Sequence, residues 1–230
     1  MRGASAEPHR RPHLLGEGEG GGDCGKQELG DLRFSALMPP PAWASLSEAI
    51  RRRFSRRLAG GRTIIFVGEV TESRMSVAGW LLVQTARLFG SPFPTSRDTG
   101  VPSVVSVTED FTTGGQIWTR VYARRTTFPQ VIHSSKRFGG PTGLEEHVAG
   151  GLGMTLTLHV ENGALVFRSA RYFIDLLAMR LYLPAALTPG SLSVTHAECG
   201  DGRFTFTLVV VHPRLGELIC QRALFREIAP

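Results

Sequence analysis

The sequence predicts an α+β fold: two N-terminal helices packed on a strongly curved, mainly antiparallel sheet of about ten strands, a half-open barrel. Three observations predict it. Apolar and polar residues alternate with a period of two through most of the chain after residue 100. Glycine-containing turns separate these runs at the short intervals of hairpin connections. Two stretches with apolar residues spaced three and four apart precede them, at 42–58 and 76–89.

Residues 1–30 are rich in Gly, Glu, Pro and Arg and carry the run GEGEGGGDCG. Such a segment buries too little apolar surface to offset its ordering entropy, so a disordered tail is expected, with 31–230 as one domain. After Pro39-Pro40-Pro41, a helix is expected over 42–58, burying Trp43, Leu46, Ile50, Phe54 and Leu58 and stopped by Gly60-Gly61. Thr63 to Val70, TIIFVGEV, is β-branched and apolar, as a buried strand is. Ser76 to Phe89 predicts a second helix, with Val77, Trp80, Leu81, Gln84 and Leu88 on its buried face.

Strands follow at 104–111 and 116–123, the second alternating Trp118, Arg120 and Tyr122 with Ile117, Thr119 and Val121. The stretch from Gln130 to Ile174 holds four extended segments joined by glycine turns. Leu144 to Val148 is a short strand between Gly139-Gly140-Pro141 and Gly150-Gly151. Asn162-Gly163 lies between two alternating runs, the strongest short-range hairpin signal, because both residues tolerate positive φ. Residues 175–187 read equally as a short helix or as a strand ending at Pro184. Strands at 191–198, 203–212 and 217–227 complete an antiparallel meander. A sheet of this size curls or closes, because strands twist and open edges are a liability, so a lipocalin-like or helix-grip-like form is expected.

Composition bounds the function. The chain has 230 residues, 42% of them hydrophobic and 20% charged, as soluble globular proteins do. It contains no apolar run of membrane-spanning length, and no apolar core follows Arg2, Arg10 and Arg11 as in a signal peptide. The three cysteines, Cys24, Cys199 and Cys220, lack metal-ligand spacing and fit free thiols in a reducing cytoplasm. The formal charge is +6; without the four basic and five acidic groups of 1–30 it is +7. Only Lys26 and Lys136 are lysines, and every other basic residue is Arg. The cluster Arg51-Arg52-Arg53 with Arg56-Arg57 suits the negative end of a helix dipole, and no nucleic-acid module accompanies it. No His-x-His or HExxH occurs, so neither a metal nor another cofactor is expected.

Several motifs recur in an order that resembles a known family. They are FSALMPPPAWASLSEAIRRRF with GRTIIFVGEV, then IWTRVY, the run from Ser134 to Phe173, LYLPAAL, and DGRFTFTLVVVHPRLGELICQRALF. Together they resemble the bacterial family catalogued as domain of unknown function 4166, over roughly residues 31–230. The resemblance implies a domain found alone or behind a nicotinamide-binding, dehydrogenase-like domain. A dehydrogenase-like partner is therefore one expectation. This chain has no GxGxxG after a first strand, and its GEGEGGG run sits in a polar tail that cannot cradle a pyrophosphate. The resemblance carries over no catalytic residue.

The candidate site comes from strand parity. On the strand 144–148, alternation sets Glu146 with Leu144 and Val148 on one face, and Glu145 with His147 on the other. With the apolar face inward, Glu146 is a carboxylate in an apolar interior, where only a cation keeps it ionised. Arg120, Lys136, Arg137 and Arg168 are its expected partners. His133 is of opposite parity to Lys136, so the two do not share a face; His159 reads as solvent-facing and His212 as a turn residue. Trp118, Tyr122, Phe138 and Tyr172 either line a cavity or fill a core. The expectation is a binding module for a small hydrophobic or lipid-like ligand, contacted by Trp118, Arg120, Tyr122, Glu146, Arg168 and Tyr172. The alternative is an isomerase or cyclase-like enzyme with Glu146 as catalytic acid or base.

Overall fold

At the hairpin the sequence marks most clearly, Asn162 and Gly163 both adopt left-handed backbone, with φ of 51° and 74°. A two-residue turn of this kind matches the right-handed twist of its flanking strands. The computed structural model describes residues 30–228, except 91, 178 and the side chain of Phe89. Of the tail expected over residues 1–30, residues 1–29, with Cys24 and Lys26, lie outside the described residues, and Gly30 forms an isolated antiparallel bridge with Arg56.

Eleven antiparallel strands form one sheet: β1 (Thr63–Met75), β2 (Val101–Asp110), β3 (Gly115–Tyr122), β4 (Gln130–Arg137), β5 (Glu145–His147), β6 (Leu152–Glu161), β7 (Ala164–Leu176), β8 (Met179–Tyr182), β9 (Ser191–Gly200), β10 (Arg203–His212) and β11 (Gly216–Ile228). Their order is β6-β5-β4-β3-β2-β1-β11-β10-β9-β7-β8, and β6 also pairs with β7. That last pairing closes ten strands into a barrel, leaving β8 outside the ring. Full closure replaces the expected half-open form and leaves the four-residue β8 as a short edge strand outside the ring. Strand β7 serves two neighbours along one edge. Leu165 to Arg168 pair with β9, and Phe173 to Leu176 with β8. The ambiguous segment at 175–187 thus resolves as β8 followed by a 3-10 turn at Ala185–Leu187.

The expected helix at 42–58 is two helices, α1 (Pro40–Ala44) and α2 (Glu48–Phe54). Ser47 breaks the run: its backbone is extended, and its hydroxyl accepts the Ile50 N–H at 3.3 Å as an N-cap. Leu46, Ile50, Phe54 and Leu58 are buried as expected, while Trp43 is half-buried. Together with Phe34, they plug one end of the barrel. Phe34 meets Phe54, Phe138 and Phe167 edge-on at centroid distances of 5.4, 4.9 and 6.1 Å.

Helix α3 (Val77–Ala86) leaves the end of β1 at the opposite end of the barrel. Here the structure reverses the expected face. Gly79, Val83 and Ala86 are buried, whereas Val77, Trp80, Leu81 and Leu88 are exposed. Gly79 is the reason. A Cβ at that position would lie 1.9 Å from the Leu218 carbonyl oxygen. The helix backbone therefore rests directly on β11, and only the small side chains fit beneath it. At its far end, a Cβ on Gly90 would meet Ala149 at 2.3 Å. Because Ala149 follows β5, on the far side of the ring from β1 and β11, α3 crosses the barrel mouth as a lid.

Candidate functional site

Between the α2 plug and the α3 lid lies a cavity of about 370 Å³. Its walls are mostly apolar: Val105, Ile132, Met154, Ile174, Leu192, Val194, Phe206 and Leu208 from the strands, with Leu82 and Ala86 of α3 and Phe93 at the mouth. Polar side chains reach it from the sheet as well: Arg120, Tyr122, Ser134, Lys136, Glu146, Tyr172 and Gln221.

Strand register explains the grouping. Lys136 lies opposite Glu146, Glu146 opposite Met154, and Met154 opposite Tyr172, one row across β4, β5, β6 and β7. Lys136 Nζ donates to Glu146 Oε2 at 2.8 Å. Arg120 lies closer to the mouth, donating to Ser134 Oγ at 3.0 Å and to Glu146 Oε1 at 3.3 Å. Lys136 and Glu146 are both buried, at 4% and 5% exposure. The Lys136 ammonium also sits 5.1 Å from the Trp118 ring centroid and 5.4 Å from that of Phe167.

Two cations thus share one carboxylate, and the cluster carries a surplus positive charge. Burial alone would raise the Glu146 carboxyl. The charges of Lys136 and Arg120, aided by hydrogen bonds from Lys136 and Ser134, outweigh it and hold the group down at about 2. Burial lowers Lys136, and the like charge of Arg120 lowers it further against the pull of Glu146. Both shifts point toward shedding protons, as a surplus cation requires.

Tyr172 supplies the second anomaly. Its hydroxyl is buried on the cavity wall and makes no hydrogen bond of normal geometry among the described residues. Burial pushes it up to about 12, with Ser169 near enough to temper the shift. A buried phenol normally finds a partner, so this donor is available to a ligand.

The structure brings Trp118, Arg120, Tyr122, Glu146 and Tyr172 together around the cavity. Arg168 does not join them. It is half-exposed on the outer face and donates to Glu161 at 2.7 Å. A β-bulge explains the error. Leu156 lies opposite Ser169 and Thr155 opposite Arg171, so Ala170 is an extra residue. The bulge reverses parity along β7, turning Phe167 and Tyr172 inward while leaving Arg168 outside. Phe138 also lies elsewhere, packed on Phe34 in the plug. Glu145 and His147 face away from the cavity, as alternation predicts. There Glu145 accepts from Arg180 at 2.5 Å and pairs with His147 at 3.0 Å. Among the described residues, no three His, Cys, Asp or Glu side chains converge as metal ligands would.

Lys136, expected only as a partner for Glu146, and Gln221 line the cavity but lie outside the site expected from sequence. Lys136 had a signal: it is the only lysine after residue 30 in a chain that otherwise uses arginine. Gln221, with Ala223 and Phe225, shares the inward parity of β11.

The family described as Domain of unknown function (DUF4166) matches residues 46–225, well over half of the chain. The chain belongs to this family. The DUF4166 match begins at Leu46, just ahead of α2, and ends at Phe225 in β11. It therefore takes in the α2 plug, the α3 lid and every cavity-lining residue named above, and is narrower than the span over which the motifs resemble the family. No curated protein and no solved structure matches the chain. No helix among the described residues is long and apolar enough to cross a membrane.

Proposed function

We propose that this protein binds one small amphipathic molecule inside its barrel. An anionic or hydrogen-bond-accepting head meets Lys136, Arg120 and Tyr172, and the apolar body runs toward the mouth past Ile132, Met154, Val194 and Leu208. One observation carries the reading: an otherwise apolar cavity holds a cation cluster with one positive charge too many, beside a buried hydroxyl without a hydrogen bond. Surplus buried charge is costly, and a bound anion relieves it. The volume of about 370 Å³ suits a single small ligand.

A catalytic role for Glu146 has less support. A carboxyl held at about 2 is a poor proton acceptor and is ionised at neutral pH, so it has no proton to donate. Docking on a dehydrogenase-like partner rests on the family resemblance alone. A cytoplasmic setting suits the free thiols of Cys199 and Cys220.

Native mass spectrometry of protein purified from its own host tests the proposal. A retained small acid or ester, released on denaturation, is expected. An empty protein that also fails to take up dodecanoate would overturn it.

A further inference from the structure

The lid presents its apolar stripe to solvent. Val77, Trp80, Leu81 and Leu88 lie at helical spacing on one face of α3 and its 3-10 extension, and Leu88 is 84% exposed. Leu82 and Ala86, on the inner side of the same helix, line the cavity, with Thr85 at its edge. One short helix therefore separates the ligand from an unpartnered apolar surface. The patch continues around the mouth. Gly90 abuts Ala149, and Gly151 abuts the Asp175 carbonyl, which leads into the β7–β8 turn, where Leu177 is 88% exposed. Further round, Leu187 is exposed on the segment before β9, and Gly190 abuts Val211 and His212.

Charge at this end is net positive, its arginines outnumbering Asp98, Asp175 and Glu217. Arg87, Arg97 and Arg214 are exposed near the rim, and none has an ion pair among the described residues. The neighbouring acids are engaged. Asp175 pairs with Arg180, and Glu217 with Arg74. Asp98 accepts the Arg125 backbone N–H at 3.2 Å.

We infer that the mouth of the barrel docks on an anionic lipid bilayer, with the outer face of α3 and the β7–β8 turn seated at the headgroup boundary. This rests on the proposed amphipathic ligand, which would then exchange between bilayer and cavity beneath the lid. Apolar side chains on protruding elements, flanked by unpaired arginines, meet the requirements of interfacial binding. A two-fold contact between copies of this chain fits less well, because it would set the rim arginines of one copy against those of the other.

The test uses the full chain with vesicles of phosphatidylcholine, alone or mixed with phosphatidylglycerol. Co-sedimentation is expected with the mixed vesicles, weakening as salt rises. Trp80 emission should shift to the blue on binding, and Trp80→Phe should keep the binding while losing the shift. Trp80→Glu and Leu177→Glu should each weaken sedimentation by about tenfold, since each places a charge at the lipid boundary. Both side chains are exposed, so dodecanoate uptake should be unchanged.

Absence of vesicle binding by protein that takes up dodecanoate would overturn the docking and leave the cavity reading standing. Vesicle binding without dodecanoate uptake would support the docking and count against the cavity reading. A dimer in size-exclusion light scattering that the same two substitutions dissociate would also overturn the docking, since the patch would then be a self-interface.

Discussion

Lys136, Arg120 and Glu146 hold more charge than an apolar interior tolerates without reason, and this separates a structural role from a binding one. Lys136→Met leaves Glu146 with Arg120 alone, and breaking a buried pair typically costs roughly 3–5 kcal/mol. The double variant Lys136→Met with Glu146→Leu should recover part of that stability in chemical denaturation, because an apolar pair replaces the Lys136–Glu146 pair while Arg120 keeps its hydrogen bond to Ser134. Dodecanoate binding should remain weak in both variants; a purely structural pair would leave it intact in the double variant. Tyr172→Phe removes a hydroxyl that makes no hydrogen bond, so stability should hold or rise by up to about 1 kcal/mol while binding weakens. His196 offers a separate test. Its Nε2 lies 2.7 Å from Arg53 NH1, a donor, so the ring is neutral with its proton on Nδ1. Burial, then the Arg53 charge, hold it well below its ordinary 6.5. Below that pH the unfolded chain takes up a proton that the folded protein refuses, so stability falls as pH drops, by up to about 1.4 kcal/mol per unit. His196→Gln should lessen the loss in urea midpoint between about pH 7 and about pH 5. The inward placement of Trp118, Arg120, Tyr122 and Glu146 was legible in the sequence because short, regular strands obey parity. Arg168 was misplaced because no residue type announces a bulge at Ala170.

Among the elements, the strands and the Asn162-Gly163 turn were readable because alternation and left-handed turn residues are local signals. Helix orientation was not. The stripe on α3 is real, but its direction depends on Gly79 lying against the Leu218 carbonyl, a contact across 139 positions of sequence, from 79 to 218. Helix propensity favours Gly79→Ala by about 1 kcal/mol, yet the added methyl would collide with β11 backbone. The opposite sign is expected: a lower thermal midpoint, a displaced lid and faster ligand exchange by stopped-flow fluorescence. A stabilised Gly79→Ala protein would show that α3 does not rest on β11. The break between α1 and α2 was equally hidden, because Ser47 serves either as a helical residue or as a cap, and its extended backbone decides.

For the whole molecule, closure of ten strands gives the buried charges a compartment that a half-open sheet would expose to water. The α2 plug seals one end, and the α3 lid leaves the other as the way in. The curved antiparallel sheet was legible from strand number and turn spacing. Closure was not, since it depends on β6 and β7 pairing across the ends of the ring. A barrel alone does not establish a ligand; the surplus charge beside Tyr172 is what points to one. The most direct measurement is the ¹³C NMR spectrum of carboxyl-labelled dodecanoate with the protein. A distinct bound carboxylate resonance is expected, shifted in Tyr172→Phe and absent in Lys136→Met. No bound resonance, or one unchanged by both substitutions, would contradict it.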